Sequence, residues 1–284
     1  MSAHDLPSAP RQGRLRRALL WAALLALLGV AQTLLVVLTV SYESGRAQDE
    51  ADTAAAQAAA EVRRELLLQM QALQTLAFGD AATTAWRDGA AALLKQHRGL
   101  ERVERRQPSL AVVDAVDTPF APTLVAQMPR QDLGVEAEVT CNAARRVGAP
   151  MFSRSYFVPL PVGQGNEVID LCLPLQQAGQ DAGYLVASFA LPRLLDSVLQ
   201  GSESRRHEFS FVEGDGTRLA RAGVSRGAGV FVAERVVDLP GAALQLRADG
   251  TAGRPSLIPN LAIALVLGLS LALFAVVLML AHDV

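Results

Sequence analysis

The sequence is short of what a catalytic centre needs. Its four histidines, His4, His97, His207 and His282, are scattered along 284 residues, and no two have metal-ligand spacing. No G-x-S-x-G segment occurs, and no Ser-His-Asp set stands out, so a hydrolase has no support. Lysine is nearly absent: Lys95 is the only one, and every other basic side chain is arginine. The formal net charge of −2 gives no electrostatic case for nucleic acid or an acidic partner. Cysteine is limited to Cys141 and Cys172. Finally, charge is missing altogether from two long blocks, one near each end.

Those blocks account for much of the 51% hydrophobic content. The first runs over 18–40; at 1.5 Å per residue this is roughly 35 Å of helix, enough to cross a hydrocarbon core. The second, over 261–281, follows Pro259 and is long enough by the same arithmetic. Arg11, Arg14, Arg16 and Arg17 precede the first block, and a basic flank stays on the cytoplasmic side. The expected topology therefore has the N-terminus inside, 42–256 outside and the C-terminus inside again. A cleaved signal peptide is the competing reading, but the apolar run exceeds an ordinary h-region and no A-x-A site follows it.

Between the blocks the pattern changes twice. Residues 43–78 hold no proline, and Val62, Leu66, Met70, Leu73 and Leu76 form a one-faced apolar stripe, which predicts a long helix. Gly79-Asp80 breaks it, and Thr83 or Thr84 starts a second helix reaching about Arg105. Strands are expected over 109–115, 153–160, 167–175 and 182–190, the last three as an antiparallel meander, with a short helix over 137–147. After an amphipathic helix at 191–199, a smaller strand set covers 208–212, 218–221, 230–237 and 243–248. Glu213-Gly214-Asp215-Gly216 supplies a hairpin turn. The division that follows is a tail (1–17), a first span (18–41), a stalk with second helix (42–108), a distal module (109–190), a proximal module (191–255), a second span (257–281) and a cytoplasmic start (282–284).

This layout resembles the double-PAS sensors, also called PDC or double Cache domains. Ser153-Arg154-Ser155-Tyr156-Phe157-Val158-Pro159, Asp170-Leu171-Cys172-Leu173-Pro174 and Gly183-Tyr184-Leu185-Val186-Ala187 look like the distal module of bacterial membrane sensor histidine kinases of the C4-dicarboxylate-sensing type. His207-Glu208-Phe209-Ser210-Phe211 with Gly214-Asp215-Gly216 looks like the proximal module. The resemblance implies an α+β fold: two transmembrane helices flanking a long stalk helix and two stacked PAS-like (Cache) α/β modules. It also implies a bacterial inner membrane protein with a periplasmic sensor region. The family continues into a phosphorylated-histidine hairpin and an ATP-binding domain, so ATP and Mg are expected only of such a kinase part. This chain is then a fragment, or a sensor without its transmitter. His207-Glu208 and Gly214-Asp215-Gly216 are not phosphoacceptor or nucleotide loop here, because the topology puts them outside, away from ATP.

Cys141 and Cys172 fall in the outside region, where a disulfide is permitted; a bridge between crossing helix and central strand, or two separate buried thiols, both fit. Strand alternation places Arg154, Tyr156, Val158 and Leu160 on one face, read as inward. An inward guanidinium needs a partner and matches a carboxylate. Arg154 and Tyr156, with Ser188 from a neighbouring strand, are thus candidate contacts for a small organic acid. The alternatives are an outward Arg154, or one paired with Asp170 or Asp114. Arg145 and Arg146 are further candidates, or simply a solvated helix face. The expected function is the ligand-sensing input region of a two-component sensor histidine kinase, sensing a small organic acid and passing the signal through the second span to a response regulator. The same modules serve chemotaxis receptors, cyclic-dinucleotide enzymes or stand-alone binding proteins. The apolar stripe from Val62 to Leu76 suggests pairing as a homodimer.

Overall fold

The computed structural model describes residues 11–78, 83–121, 130–159, 165–177, 180–199, 203–255 and 257–282. Residues 1–10 of the expected tail, the break at Gly79-Asp80 and Leu160 of the expected strand face lie outside these. Chain contacts divide the protein into two units, Met1–Ala47 with Arg254–Val284, and Gln48–Gly253.

The first unit is helical. Helix α1 runs Arg11–Phe78 and helix α6, the last element, runs Leu257–His282. Among the described residues, only α1 is long and apolar enough to cross a membrane. The expectation of two spans is corrected to that extent: the described apolar stretch of the last helix, Ala264–Val276, is shorter. Within this unit Gln32 lies over Gly268, where an added Cβ would overlap the amide.

The second unit holds two antiparallel sheets. The strands of the first are β1 (Leu100–Arg106), β2 (Val112–Asp117), β3 (Met151–Phe152), β4 (Tyr156–Pro159), β5 (Gly165–Gln177) and β6 (Gln180–Ala190). Their order is β2-β1-β6-β5-β3, with β4 also on β5. Helices α2 (Thr83–Gln96) and α3 (Arg130–Val147) belong to this module. The second sheet, order β8-β7-β10-β9, contains β7 (His207–Val212), β8 (Arg218–Ala222), β9 (Val232–Leu239) and β10 (Ala242–Gly250). It follows α4 (Leu191–Val198) and the short α5 (Glu203–Arg206). The Pro240–Gly241 turn joins the two sheets: Phe152 N–H donates to Pro240 O at 2.7 Å.

One expectation about the second helix is corrected. Residues 100–106 form β1, not the end of α2, which stops at Gln96. Leu-Glu-Arg-Val-Glu-Arg-Arg favours helix by propensity, but β1 sits between β2 and β6, where both neighbours supply backbone partners. Tertiary pairing overrides a propensity of a few tenths of a kcal/mol per residue, roughly.

The register sorts the faces of the first sheet. Val103, Ala187, Leu171 and Phe152 lie opposite one another, as do Leu100, Phe189 and Ile169. All are buried and make the apolar core on this side. Two contacts tie α2 to the sheet edge: a forked pair between Arg87 and Asp114 at 2.7–2.9 Å, and Arg105 over the Trp86 ring. The stalk side of α1 is also used within the chain. Val62, Leu66 and Leu73 are fully buried. Gln48 and Arg63 donate to Val232 O and Asp238 O, and Asp52 pairs with Arg235. Of the stripe on which the dimer expectation stood, Val62, Leu66 and Leu73 are thus buried within the chain, while Met70 and Leu76 are half-buried.

Candidate functional site

The other face of the first sheet carries a polar row. Antiparallel partners point to the same side, so Asp117, Arg102, Ser188 and Asp170 form one row across β2, β1, β6 and β5. The next row holds Glu104, Val186 and Cys172, and the third holds Arg106, Tyr184 and Pro174. Helix α3 covers part of this face. Its Cys141 is disulfide-bonded to Cys172, with Cα atoms 5.2 Å apart. Ala144, Tyr184 and Val186 pack around the bridge, with Leu110 and Met151 at the margin. The link fixes the helix to the central strand beside the polar row.

Asp170 ends that row on β5. It is 2% exposed, and each carboxylate oxygen accepts one hydroxyl: Ser188 Oγ donates to Oδ1 at 2.6 Å, and Tyr156 Oη to Oδ2 at 2.9 Å. Its backbone is held as well. Asp170 N–H donates to Ser153 Oγ at 2.8 Å, and the Ser153 hydroxyl donates to Arg154 O at 2.7 Å. No guanidinium hydrogen-bonds Asp170 among the described residues. Burial consequently raises its carboxyl from an ordinary 3.8 to about 6, against the lowering effect of the two hydroxyls and of Arg106. The Tyr156 hydroxyl is pushed well above its ordinary range, first by burial and then by the Asp170 charge.

A charged ladder flanks this centre. Arg102 Nε donates to Glu104 Oε1, and Arg102 Nη1 to Asp117 Oδ1 at 2.7 Å. Arg106 Nε and Nη2 both reach Glu104 Oε2, at 2.8 and 2.7 Å. Two guanidiniums thus face three carboxylates on this surface, leaving one negative charge in excess when Asp170 is ionised. A buried, uncompensated carboxylate favours a cation brought from outside.

The predicted residues separate. Tyr156 and Ser188 meet at Asp170. Arg154 does not, and the expected shared face is corrected: its side chain is exposed, ahead of β4. The reason is a bulge. Phe152 lies opposite Leu171 and Tyr156 opposite Val168, so four steps on one strand match three on the other. One extra residue reverses the inside–outside parity. Arg154 instead lines a groove of about 800 Å³ between the sheets, with Ser155, Glu213, Asp215 and Gln245. Neither Asp170 nor Asp114 serves as its partner. Arg145 and Arg146 lie on the exposed end of α3, where they reach Asn142, and Arg145 also approaches Asp181 at 3.7 Å.

Sequence reasoning missed the role of Asp170 as the hub, and missed Arg102, Glu104 and Arg106. The Arg-x-Glu-x-Arg spacing is the period of a strand face. It went unread because the same segment looks helical.

No family model matches the chain, and no curated protein matches it. Solved structures do. The ligand-binding domain of the Pseudomonas aeruginosa amino acid chemoreceptor PctC, in complex with GABA, is similar at 17% identity, over 68% of this chain and 95% of that one, with a TM-score of 0.43. The ligand-binding domain of the Pseudomonas fluorescens chemoreceptor CtaA, in complex with L-alanine, is similar at 13% identity, over 73% and 98%, with a TM-score of 0.46. That of the Campylobacter jejuni chemoreceptor Tlp3, in complex with L-norvaline, is similar at 10% identity, over 73% and 92%, with a TM-score of 0.45. The site residues named above rest on this chain's own geometry.

Proposed function

We propose that the chain is the extracytoplasmic ligand-sensing input region of a membrane receptor, anchored by α1, and that its Asp170 site takes a small organic acid bearing an ammonium group. The observation that carries this is a carboxylate 2% exposed whose direct donors are two neutral hydroxyls. An ammonium group placed there adds the missing charge, and Tyr156 and Ser188 hold the carboxylate in place to receive it. The organic acid expected at Arg154 is refined accordingly, since the buried anion disfavours a ligand that is only anionic. Within this reading the output is that of a two-component sensor histidine kinase, with a response regulator as downstream partner. The signal runs as a population shift, the ligand stabilising the state it binds better.

Thermal unfolding of the full chain in mild detergent tests the ligand class, with L-amino acids and C4-dicarboxylates as probes. An amino acid should raise the Tm of the wild type and leave that of Asp170→Asn where it was. Stabilisation by a dicarboxylate, with none by any amino acid, refutes the reading.

A further inference from the structure

The groove between the two sheets is built from both of them and shares no lining residue with the Asp170 site. Val212, Gln245 and Val236 stand opposite one another across β7, β10 and β9, so they point to one side of the second sheet. All three line the groove, and Val236 is 64% exposed there. Arg154 belongs to the wall that the first sheet supplies. Glu213 and Asp215, in the turn between β7 and β8, belong to the opposite one.

The joint between these walls is tightly fitted. Phe152 N–H donates to Pro240 O at 2.7 Å. Gly241, at φ +88, lies so close to the first sheet that an added Cβ would stand 2.9 Å from Met151 Cε and 3.1 Å from Phe152 O. Two residues beyond Phe152, the Arg154 carbonyl accepts the Ser153 hydroxyl at 2.7 Å. The groove is thus preformed, the usual condition of a site for a small ligand.

Charge and size decide what fits. Among the described residues, Arg154, Glu213 and Asp215 are the ionisable groups of the lining, so one negative charge is in excess. Arg154 and Glu213 are exposed, and neither has an ion-pair partner among the described residues. Asp215 accepts Thr217 N–H at 2.7 Å, which holds its carboxyl below the ordinary carboxylate range. Gln245 donates to Glu234 Oε2 at 2.6 Å, and its amide oxygen can accept an N–H. A ligand that is only anionic meets two carboxylates, and one that is only cationic meets a guanidinium. The volume of about 800 Å³ lies in the upper part of the roughly 300–1,000 Å³ range of small-molecule sites, so a single amino acid fills little of it.

We propose that this groove is a second binding site, separate from Asp170, and that it takes a short peptide with one basic side chain. The C-terminal carboxylate pairs with the Arg154 fork. The N-terminal ammonium pairs with Glu213 and the basic side chain with Asp215, over the apolar surface of Val236 and Leu219. Such a peptide has one positive charge in excess, which offsets that of the groove. It bridges the two sheets, since its anchors come from both. Arg154 so regains a carboxylate partner, away from the sheet face on which strand alternation placed it.

Calorimetry on the full chain in detergent tests this with Ala-Lys-Ala, its C-terminal amide and its N-acetyl form. The wild type should prefer the free acid to the amide, and the free amine to the acetyl form, each by about three- to fivefold, the scale of an ion pair between exposed groups. In Arg154→Gln the acid and the amide should bind alike while the preference for the free amine persists. Glu213→Gln should show the reverse. Both residues are exposed, so neither substitution disturbs the core. Ala-Glu-Ala should bind the wild type more weakly than Ala-Lys-Ala, and Asp215→Asn should narrow that gap. No binding of Ala-Lys-Ala by the wild type, or an undiminished preference for the acid in Arg154→Gln, overturns the proposal. Loss of the peptide in Asp170→Asn with full binding in Arg154→Gln would move the peptide to the Asp170 site and overturn it as well.

Discussion

Replacing Asp170 by asparagine should make the protein more stable and deprive it of its ligand. The carboxyl rises from 3.8 to about 6 on folding, which corresponds to roughly 3 kcal/mol of free energy between its charge states. The sign follows from which state holds the proton more tightly. The folded state does, so the unfolded chain ionises first as pH rises. Stability from this group therefore falls between about pH 4 and pH 6. Below that window both states are protonated and no penalty exists; above it the folded state carries the whole of it. Asparagine is neutral throughout and matches the carboxyl in shape. Its amide oxygen accepts one hydroxyl, and its NH2 donates to the other, which can rotate. Urea unfolding of the unit Gln48–Gly253, followed by circular dichroism, measures the difference between variant and wild type. Other titrating groups are common to both and largely cancel. The variant should gain at most about 3 kcal/mol at pH 8, less with relaxation around the site, and close to nothing at pH 4. A difference that stays constant from pH 4 to pH 8 would refute the reasoning, because it would mean that Asp170 ionises in the fold as it does in water. A stabilising substitution at a binding carboxylate is the usual mark of a site kept for function at a cost to the fold.

Two further outcomes are expected. Removing the Cys141–Cys172 bridge, as the double alanine variant, opens a loop of 31 residues and should cost about 3–4 kcal/mol in urea unfolding; dithiothreitol should then have no added effect on the variant. Gly183→Ala meets Arg106 O at a positive φ and should lower stability by more than about 1 kcal/mol, with a matching loss of ligand-induced Tm shift; an unchanged Tm shift would separate β1 placement from binding.

The sequence by itself determined the elements whose signals are local. The uncharged block at 18–40 falls in a helix long and apolar enough to cross a membrane, because hydrocarbon tolerates only a continuous apolar helix of that length. The alternating residues of β5 and β6 and the turn between β7 and β8 are equally local, since a strand repeats every second residue and a tight turn needs only its own few side chains. The inward placement of Tyr156 and Ser188, which meet at Asp170, was legible for the same reason: each stands on the inward parity of its own strand.

Only the tertiary structure decided the rest. β1 is a strand because β2 and β6 pair with it, and no residue within Leu100–Arg106 carries that information. Arg154 faces away from Tyr156 because an extra residue enters the strand opposite β5, a count that requires knowing the partner. Val62, Leu66 and Leu73 of the α1 stripe are buried within the chain, where periodicity alone could not tell a partner in the same chain from a second molecule. The Asp170 site itself gathers Asp117, Arg102, Glu104, Arg106, Tyr156 and Ser188 from four strands around Asp170 on a fifth. Register brings them together, and burial turns a common aspartate into the charge that the site is built around.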